Sequence, residues 1–355
     1  MLRRSGSHKQ IPVVAIPGFQ LRRVVGTGGM GIVYEAWDEQ LERSVAVKLL
    51  HSGGFADPQG AERFRFEAQV VARLRHPHIV QPHQFGGVNG TAHLVMEYVD
   101  GPNLHTAAGG KPVPSAVAAA VVRAAAEAVG FAHREGVVHR DLKPANILLA
   151  GPDLSARVLV TDFGMARLMA DDPEVSPDGT VAGTPGDMAP EQCTVNGAVG
   201  PWADVYALGV VLSERLTGGL PIAADEPERY LGLVQRVPPM APRHFAPTVP
   251  ADLESICLKC LAKTPPDRYL TADARAADLG RFAAGRPVIA RRLGAVGTAV
   301  RAARRYPLVT AVLVSTVVSL AVGRRGTRSG KGSRPWPRVR PRQEQTPRVR
   351  PTCGP

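Results

Sequence analysis

The sequence predicts an α+β protein of two lobes, a small β-rich lobe carrying one helix and then a larger helical lobe. Short strand-like runs dominate up to Val99, whereas from about Ser115 the apolar residues recur at helical spacing. No internal repeat appears.

After a polar lead-in (residues 1–17), Gln20–Val25 and Ile32–Trp37 flank a glycine cluster, and Ser44–Leu50 alternates before a loop at 52–60. Ala61–Leu74 reads as a helix with Phe64, Ala68, Val71 and Leu74 on one side. His93–Val99 is a further strand, broken by Gly101-Pro102. Ser115 is expected to N-cap an Ala/Val-rich helix, Ala116–Arg134, that stops at Gly136. Short strands follow at Val137–His139, Ile147–Leu149 and Val158–Thr161, then an irregular Asp/Pro/Gly-rich segment over 165–190. Further helices are expected at Ala203–Leu216, Ala251–Ala262 and Ala272–Ala284.

With 355 residues and 44% hydrophobic content, wholesale disorder and a polytopic membrane protein are both excluded. The net charge of +12 suggests nucleic acid until its distribution is read. Residues 286–355 hold 16 Lys/Arg and one acid, Glu344, so the body before them is slightly acidic and no nucleic-acid partner is expected. Cys193, Cys257, Cys260 and Cys353 are too few for a disulfide framework, which suits a reducing compartment. Cys257 and Cys260 have redox or zinc spacing, but they also continue the apolar stripe of Leu253, Ile256 and Leu261, and core packing is the expectation. The N-terminus lacks the pattern of a secretory signal, since Pro12 and Pro17 bracket its short apolar stretch.

Residues 306–323 form an uncharged run of 18, with Arg304-Arg305 before and Arg324-Arg325 after. As a helix this would reach roughly 27 Å, close to a hydrocarbon core of about 30 Å. We expect a single transmembrane helix there, a basic juxtamembrane segment at 286–305 and a disordered Pro/Arg-rich tail at 324–355. The competing reading packs 306–323 onto the body. Basic residues flank both ends, so charge alone does not orient the span.

Gly26-Thr27-Gly28-Gly29-Met30-Gly31 fits G-x-G-x-x-G. A dinucleotide-binding unit would start a helix at the third glycine. Ile32-Val33-Tyr34 is instead strand sequence, which favours a glycine hairpin lying over phosphates. Lys48 ends the next strand, and Glu67, 19 residues on, is its expected ion-pair partner. His139-Arg140-Asp141-Leu142-Lys143-Pro144-Ala145-Asn146 then offers a hydroxyl acceptor, a cation and a metal-ligating amide within six residues. Asp162-Phe163-Gly164 follows 21 residues after Asp141 with a second hard oxygen donor. Phosphoryl transfer is mostly positioning and charge stabilisation, and it needs this set.

On these motifs the chain resembles the Hanks-type protein kinases, specifically the bacterial Ser/Thr branch and its receptor-like members with one membrane span. The resemblance covers about 18–285 and rests further on RHPHIV (75–80), LVMEYV (94–99), GTPGDMAPEQ (183–192), DVYALG (204–209) and Arg268. It implies the two-lobed protein kinase fold, with an N-lobe at 18–96, a hinge at 97–101 and a C-lobe at 102–285. It implies ATP and Mg²⁺, or Mn²⁺, as cofactors, and proteins with Ser/Thr acceptors as substrates.

Residue by residue, the resemblance implies that Gly26, Gly28 and Gly31 cover the phosphates and that Lys48 clamps them. Adenine would lie among Val25, Val33, Ala46 and Leu148, bonded by the backbone of Glu97 and Val99, with Met96 as gatekeeper. Asp141 would be the base, Lys143 would sit beside the γ-phosphate, and Asn146 and Asp162 would bind the metal. Glu191 would pair with Arg268, Asp204 would anchor the catalytic loop, and Thr184 would contact Asp141. Arg140 implies an activation loop phosphorylated at Thr180 or Ser176, and a homodimer would allow this in trans. The body would be cytoplasmic, anchored at the plasma membrane.

Two positions depart from the family pattern. Asp187 replaces an aromatic residue with a charge and puts the peptide-binding floor in doubt, and Pro82 removes an N–H from an expected strand. These departures motivate the rival reading, a pseudokinase that binds nucleotide and partners without turnover. A small-molecule kinase of similar fold is disfavoured by Met188-Ala189-Pro190-Glu191.

Overall fold

The computed structural model describes residues 15–29, 31–50, 70–88, 90–163, 185–194, 199–224 and 226–291. The chain divides at Arg292/Leu293 into two units, and every described residue belongs to the first. Five antiparallel strands open the fold: β1 (Phe19–Gly28), β2 (Gly31–Asp38), β3 (Arg43–Leu50), β4 (Pro82–Val88) and β5 (Thr91–Glu97). Their order in the sheet is β1-β2-β3-β5-β4. The two-residue period of a strand sorts β3 between two apolar clusters. Val45, Val47 and Leu49 pack with Ile16, Ala36 and Val95 on one face, and Ala46 and Leu50 pack with Val80, Leu94 and Met96 on the other. By that parity Lys48 joins Ala46 and Leu50, and the sequence alternation alone assigns it to that face.

Beyond the sheet come α1 (Leu104–Ala108), α2 (Ser115–Arg134), the hairpin strands β6 (Ile147–Ala150) and β7 (Arg157–Val160), and α3 (Pro201–Thr217). Then follow α4 (Pro227–Arg236), α5 (Pro242–Phe245), α6 (Ala251–Cys260) and α7 (Ala272–Ala283). Residues 78–80 zip onto β7, where Val80 donates to the Val160 carbonyl and Val160 donates to His78, each at 2.9 Å. The main core lies among α2, α3, α6 and α7. Small residues set their spacing: a Cβ on Gly209 of α3 would come within 2.6 Å of Cys260 Cβ, and one on Gly130 of α2 would run into the Asp273 carboxylate.

The structure departs from several of these expectations. Ser115 is the first helical residue and Pro114 holds the cap position without a side-chain bond. Val137–His139 is not a strand; Val137 donates to the Ala132 carbonyl at 2.9 Å and the segment runs on into the loop at His139-Arg140-Asp141. Pro82 is the first residue of β4, an edge strand, at a register shift opposite Met96, where a missing N–H is tolerated. Cys257 and Cys260 are free, fully buried and packed at the α3–α6 contact, with the Cys257 thiol 3.5 Å from the Gly209 carbonyl. Most of the predicted helix Ala61–Leu74 lies outside the described residues, of which 70–72 are helical. Among the described residues one helix, Ser115–Arg134, has the length and apolarity to cross a membrane, and its Ala and Val side chains pack in the main core.

Candidate active site

Lys48 carries the only cation on its strand face, and at 4% exposure it cannot be left unpaired. Its ammonium lies 2.8 Å from the Asp162 carboxylate. The expected partner, Glu67, lies outside the described residues, as do Gly164, Ser176, Thr180, Thr184 and the 306–323 run. The observed pair joins the end of β3 to the segment after β7, so groups 114 positions apart in sequence meet at one point.

The loop after Val137 is built around a buried acid. Asp204, in the first turn of α3, is 1% exposed and accepts from the backbone N–H groups of His139 and Arg140 at 2.8 Å each and from His133 Nε2 at 2.7 Å. Burial alone would raise its carboxyl, but the His133 hydrogen bond and the charges of His133 and His139 outweigh that and hold it below the usual carboxylate range. Arg140 takes a φ of +68°, uncommon for a residue with a Cβ. The turn is clamped from both sides, since Gln192 Nε2 donates to the Arg140 carbonyl at 2.8 Å while Asp204 holds its N–H. Sequence reasoning missed Gln192 and His133, because their partners lie 52 and 71 positions away.

Asp141 follows immediately. Lys143 Nζ lies 2.8 Å from its Oδ2, and Asn146 Nδ2 donates to its carbonyl at 2.7 Å. The second bond turns the Asn146 Oδ1 away from Asp141. Asp162, with φ +65°, is held by its neighbours. His139 Nε2 donates to the Thr161 carbonyl at 2.9 Å, and the His139 ring packs on Phe163 with centroids 4.8 Å apart. His139 was legible only as a motif letter; its geometry shows it bridging the two acidic segments.

Asp162 and Asn146 offer hard oxygen donors on adjoining segments, and among the described residues no three His, Cys, Asp or Glu side chains form a metal cluster. That is the donor set Mg²⁺ favours, since it keeps waters and takes phosphate oxygens rather than an all-protein cage. The glycine hairpin fits phosphates by the same kind of test. A Cβ on Gly28 or Gly29 would meet nothing of the protein, so packing does not demand glycine there. Gly31 differs, because its φ of +152° and the Leu49 carbonyl beside it require glycine for the fold itself. Val33, Ala46, Met96, Val99 and Leu148 gather in one apolar cluster, while Val25 stands outside it, 41% exposed. The Glu97 N–H donates to the Gln81 carbonyl at 2.9 Å.

On the far side of the loop, Arg268 uses all its N–H groups. Two go to Glu191 at 2.6 and 2.8 Å, and the others to the carbonyls of Trp202, Ala262 and Lys263. Asp187 ends a 3₁₀ turn, Pro185–Asp187, with its Oδ1 buried and unpartnered. Burial first, then the Glu214 and Asp141 carboxylates, push its carboxyl up to about 7 against the pull of Lys143 and Arg215. Burial therefore opposes the charge that the sequence places at this position.

This set can hold an anionic phosphate chain, ligate a hard cation and accept a proton from a hydroxyl. The model of the protein kinase domain matches residues 19–278. Serine/threonine-protein kinase PknB of Mycobacterium leprae is 40% identical over 277 residues, 76% of this chain and 43% of the relative. Serine/threonine-protein kinase PknD of Mycobacterium tuberculosis is 40% identical over 256 residues, 72% of this chain and 38% of that protein. The chain thus spans less than half the length of these relatives. The crystal structure of the Mycobacterium tuberculosis PknI kinase domain superposes with a TM-score of 0.59 at 28% identity, covering 76% of this chain and 97% of that one. With its lobes, its loop geometry and this match over most of its length, the chain belongs to the protein kinase domain family.

Proposed function

We propose that this chain is a serine/threonine protein kinase that transfers the γ-phosphoryl group of Mg·ATP to Ser and Thr hydroxyls of proteins, including its own activation loop. The observation that carries the reading is the convergence of Lys48 and Asp162 with Asp141, Lys143 and Asn146, supplied by both lobes. In this reading Asp141 orients the acceptor hydroxyl and takes its proton. Lys143, already at that carboxylate, neutralises charge on the transferring group. Lys48 fixes the phosphates, and the hairpin of Gly26, Gly28 and Gly31 closes over them with backbone N–H groups. Val33, Ala46 and Leu148 exclude water from the base, with Val25 at the rim and Glu97 and Val99 offering backbone groups. Mg²⁺, or Mn²⁺, held by Asp162 and Asn146, would supply charge neutralisation between the phosphates. Glu191 with Arg268, and Asp204 beneath Arg140, keep the loop in place. Phosphate on Thr180 or Ser176 would give Arg140 a bidentate partner, and Thr184 would complete the substrate side.

The proposal extends to organisation: a kinase body over 18–285, a membrane span at 306–323 supported by its uncharged length and flanking arginine pairs, and a cytoplasmic body where ATP is found. Resistance of the full chain to carbonate extraction tests the span. The activity is tested by radiolabelled γ-phosphate transfer from the full chain to a basic protein, with Mg²⁺ and an Asp141→Asn control. Label on Ser/Thr in the wild type alone is expected. Bound nucleotide without transfer would replace this reading with a nucleotide-binding pseudokinase.

A further inference from the structure

The glycine hairpin is tied to the segment after β5 by side chains that the nucleotide reading does not use. The β1–β2 register slips between Leu21 and Arg23 and again between Val24 and Gly26, so Arg22 and Val25 are extra residues in β1. Such a bulge turns two successive side chains toward one opposing residue. Here Arg22 and Arg23 both reach Glu35, at 4.0 and 2.7 Å. Arg22 spends its guanidinium on the Trp37 ring, 4.6 Å from the centroid. Arg23 instead extends its Nη2 to the Tyr98 hydroxyl at 2.9 Å, spanning 75 residues of sequence. Tyr98 stands between Glu97 and Val99, whose backbones face the proposed adenine site. Its neighbour Glu97 is anchored the other way, to Arg157 of β7 at 2.9 Å and to the Gln81 N–H at 3.4 Å. The hinge end is therefore fixed, and Arg23 fastens the hairpin to it three residues before Gly26.

We propose that Arg23, oriented by Glu35 and received by Tyr98, is a clasp that holds the glycine hairpin down and so sets how long nucleotide stays bound. The inference rests on the ATP-binding reading above and adds positioning residues that do not touch the ligand. A Cβ on Gly28 or Gly29 would meet nothing of the protein, so neither residue restrains the hairpin and a restraint at its base governs its lift.

The test is stopped-flow release of a fluorescent ADP analogue from the full chain, with KM for ATP and kcat, in Tyr98→Phe, Arg23→Gln and the double variant. Tyr98→Phe keeps the ring and removes only the hydroxyl. Each single variant is expected to speed release and raise KM for ATP about two- to fivefold, the range that exposed polar pairs give, with kcat and thermal stability little changed. The double variant should release no faster than Arg23→Gln alone, because that variant already lacks the contact that Tyr98→Phe removes. Release rates equal to wild type, additive effects in the double variant, or a loss confined to kcat would overturn the clasp and leave the kinase reading standing. A wild-type chain that binds no nucleotide at all would overturn both.

Discussion

Asp187→Asn isolates a partly buried carboxyl with one oxygen sealed from solvent and without a partner. The ordinary carboxyl value is 3.8, and burial with Glu214 and Asp141 nearby raises it in the folded chain to about 7. An acid raised on folding favours the folded state while both forms are protonated, and that advantage drains away as pH climbs from the unfolded value to the folded one. The window is therefore about pH 4 to 7. Each pH unit in it is worth about 1.4 kcal/mol, so the group withdraws up to about 4 kcal/mol across the window and up to about 3 kcal/mol between pH 5 and pH 8. Asparagine has the shape of the protonated carboxyl and no titration. Thermal unfolding of full-length wild type and Asp187→Asn at pH 5, 6, 7 and 8 should show the variant gaining on the wild type with rising pH, by several degrees at pH 8, since 1 kcal/mol moves a body of this size by roughly 2–4 °C. Curves that stay parallel from pH 5 to 8 would refute the buried placement of this side chain. The same titration bears on turnover, because the ionised Asp187 would compete with Asp141 for the Lys143 ammonium.

Three further outcomes follow from named contacts. Lys48→Met should keep the fold and lower kcat/KM by about 100-fold or more, because a lost phosphate clamp removes several kcal/mol of transition-state stabilisation; near-normal turnover would contradict its assignment. Asp204→Asn leaves three donors facing a weaker acceptor and should lower stability by about 2–4 kcal/mol with a larger loss in kcat, read by denaturation and steady-state kinetics. Its wild-type carboxyl is depressed by folding, so the stability it lends is present at neutral pH and lost as pH falls through the carboxylate range, a loss the variant should not show. Gly28→Ala and Gly31→Ala should separate ligand from fold: the first places a methyl in open space and should raise KM for ATP without moving the melting temperature, and the second should destabilise by about 2 kcal/mol or more.

The strand-like runs of β1, β2, β3 and β5 were legible in the sequence, as was the long Ala/Val helix α2. β4 was not legible by pattern, and the strand at Pro82 was expected only from the family resemblance, because Pro82 and the glycines at 86 and 87 interrupt the run. Their reasons are tertiary: Pro82 opens an edge strand, and a Cβ on Gly86 would come within 2.6 Å of the buried His93 ring. Short α4, with Pro227 in its first turn, was also missed, because it is only ten residues long and mostly polar. In the site, residues packed into one stretch, Asp141 to Asn146, were readable because their chemistry is local. Among contacts that close over long loops, Glu191 with Arg268 and Asp204 with the catalytic loop were expected from the family resemblance, whereas two others were not. Lys48 meets Asp162 and Gln192 clamps Arg140 only because the lobes and the 3₁₀ turns bring them together. The odd residue Asp187 was visible as a departure, yet a letter cannot reveal that the fold seals one of its carboxyl oxygens away without a partner.

Two residues with side chains in the left-handed region, Arg140 and Asp162, flank the chemistry, and such strain persists only where surroundings over-determine it. Here one chain of contacts does so for both. Asp204 fixes the N–H groups of His139 and Arg140, which forces the turn at Arg140. His139, so fixed, donates through Nε2 to Thr161 and covers Phe163, the residues on either side of Asp162. Thr161 can only accept through its carbonyl, so the His139 proton must sit on Nε2 and the ring cannot turn over without breaking that bond. The proposed hydroxyl acceptor and the proposed metal ligand are thereby positioned by one buried carboxylate, through a ring that touches neither. Disturbing Asp204 must then move Asp141 and Asp162 together, whereas disturbing Lys48 removes a partner of Asp162 and leaves the Asp141 loop where it is.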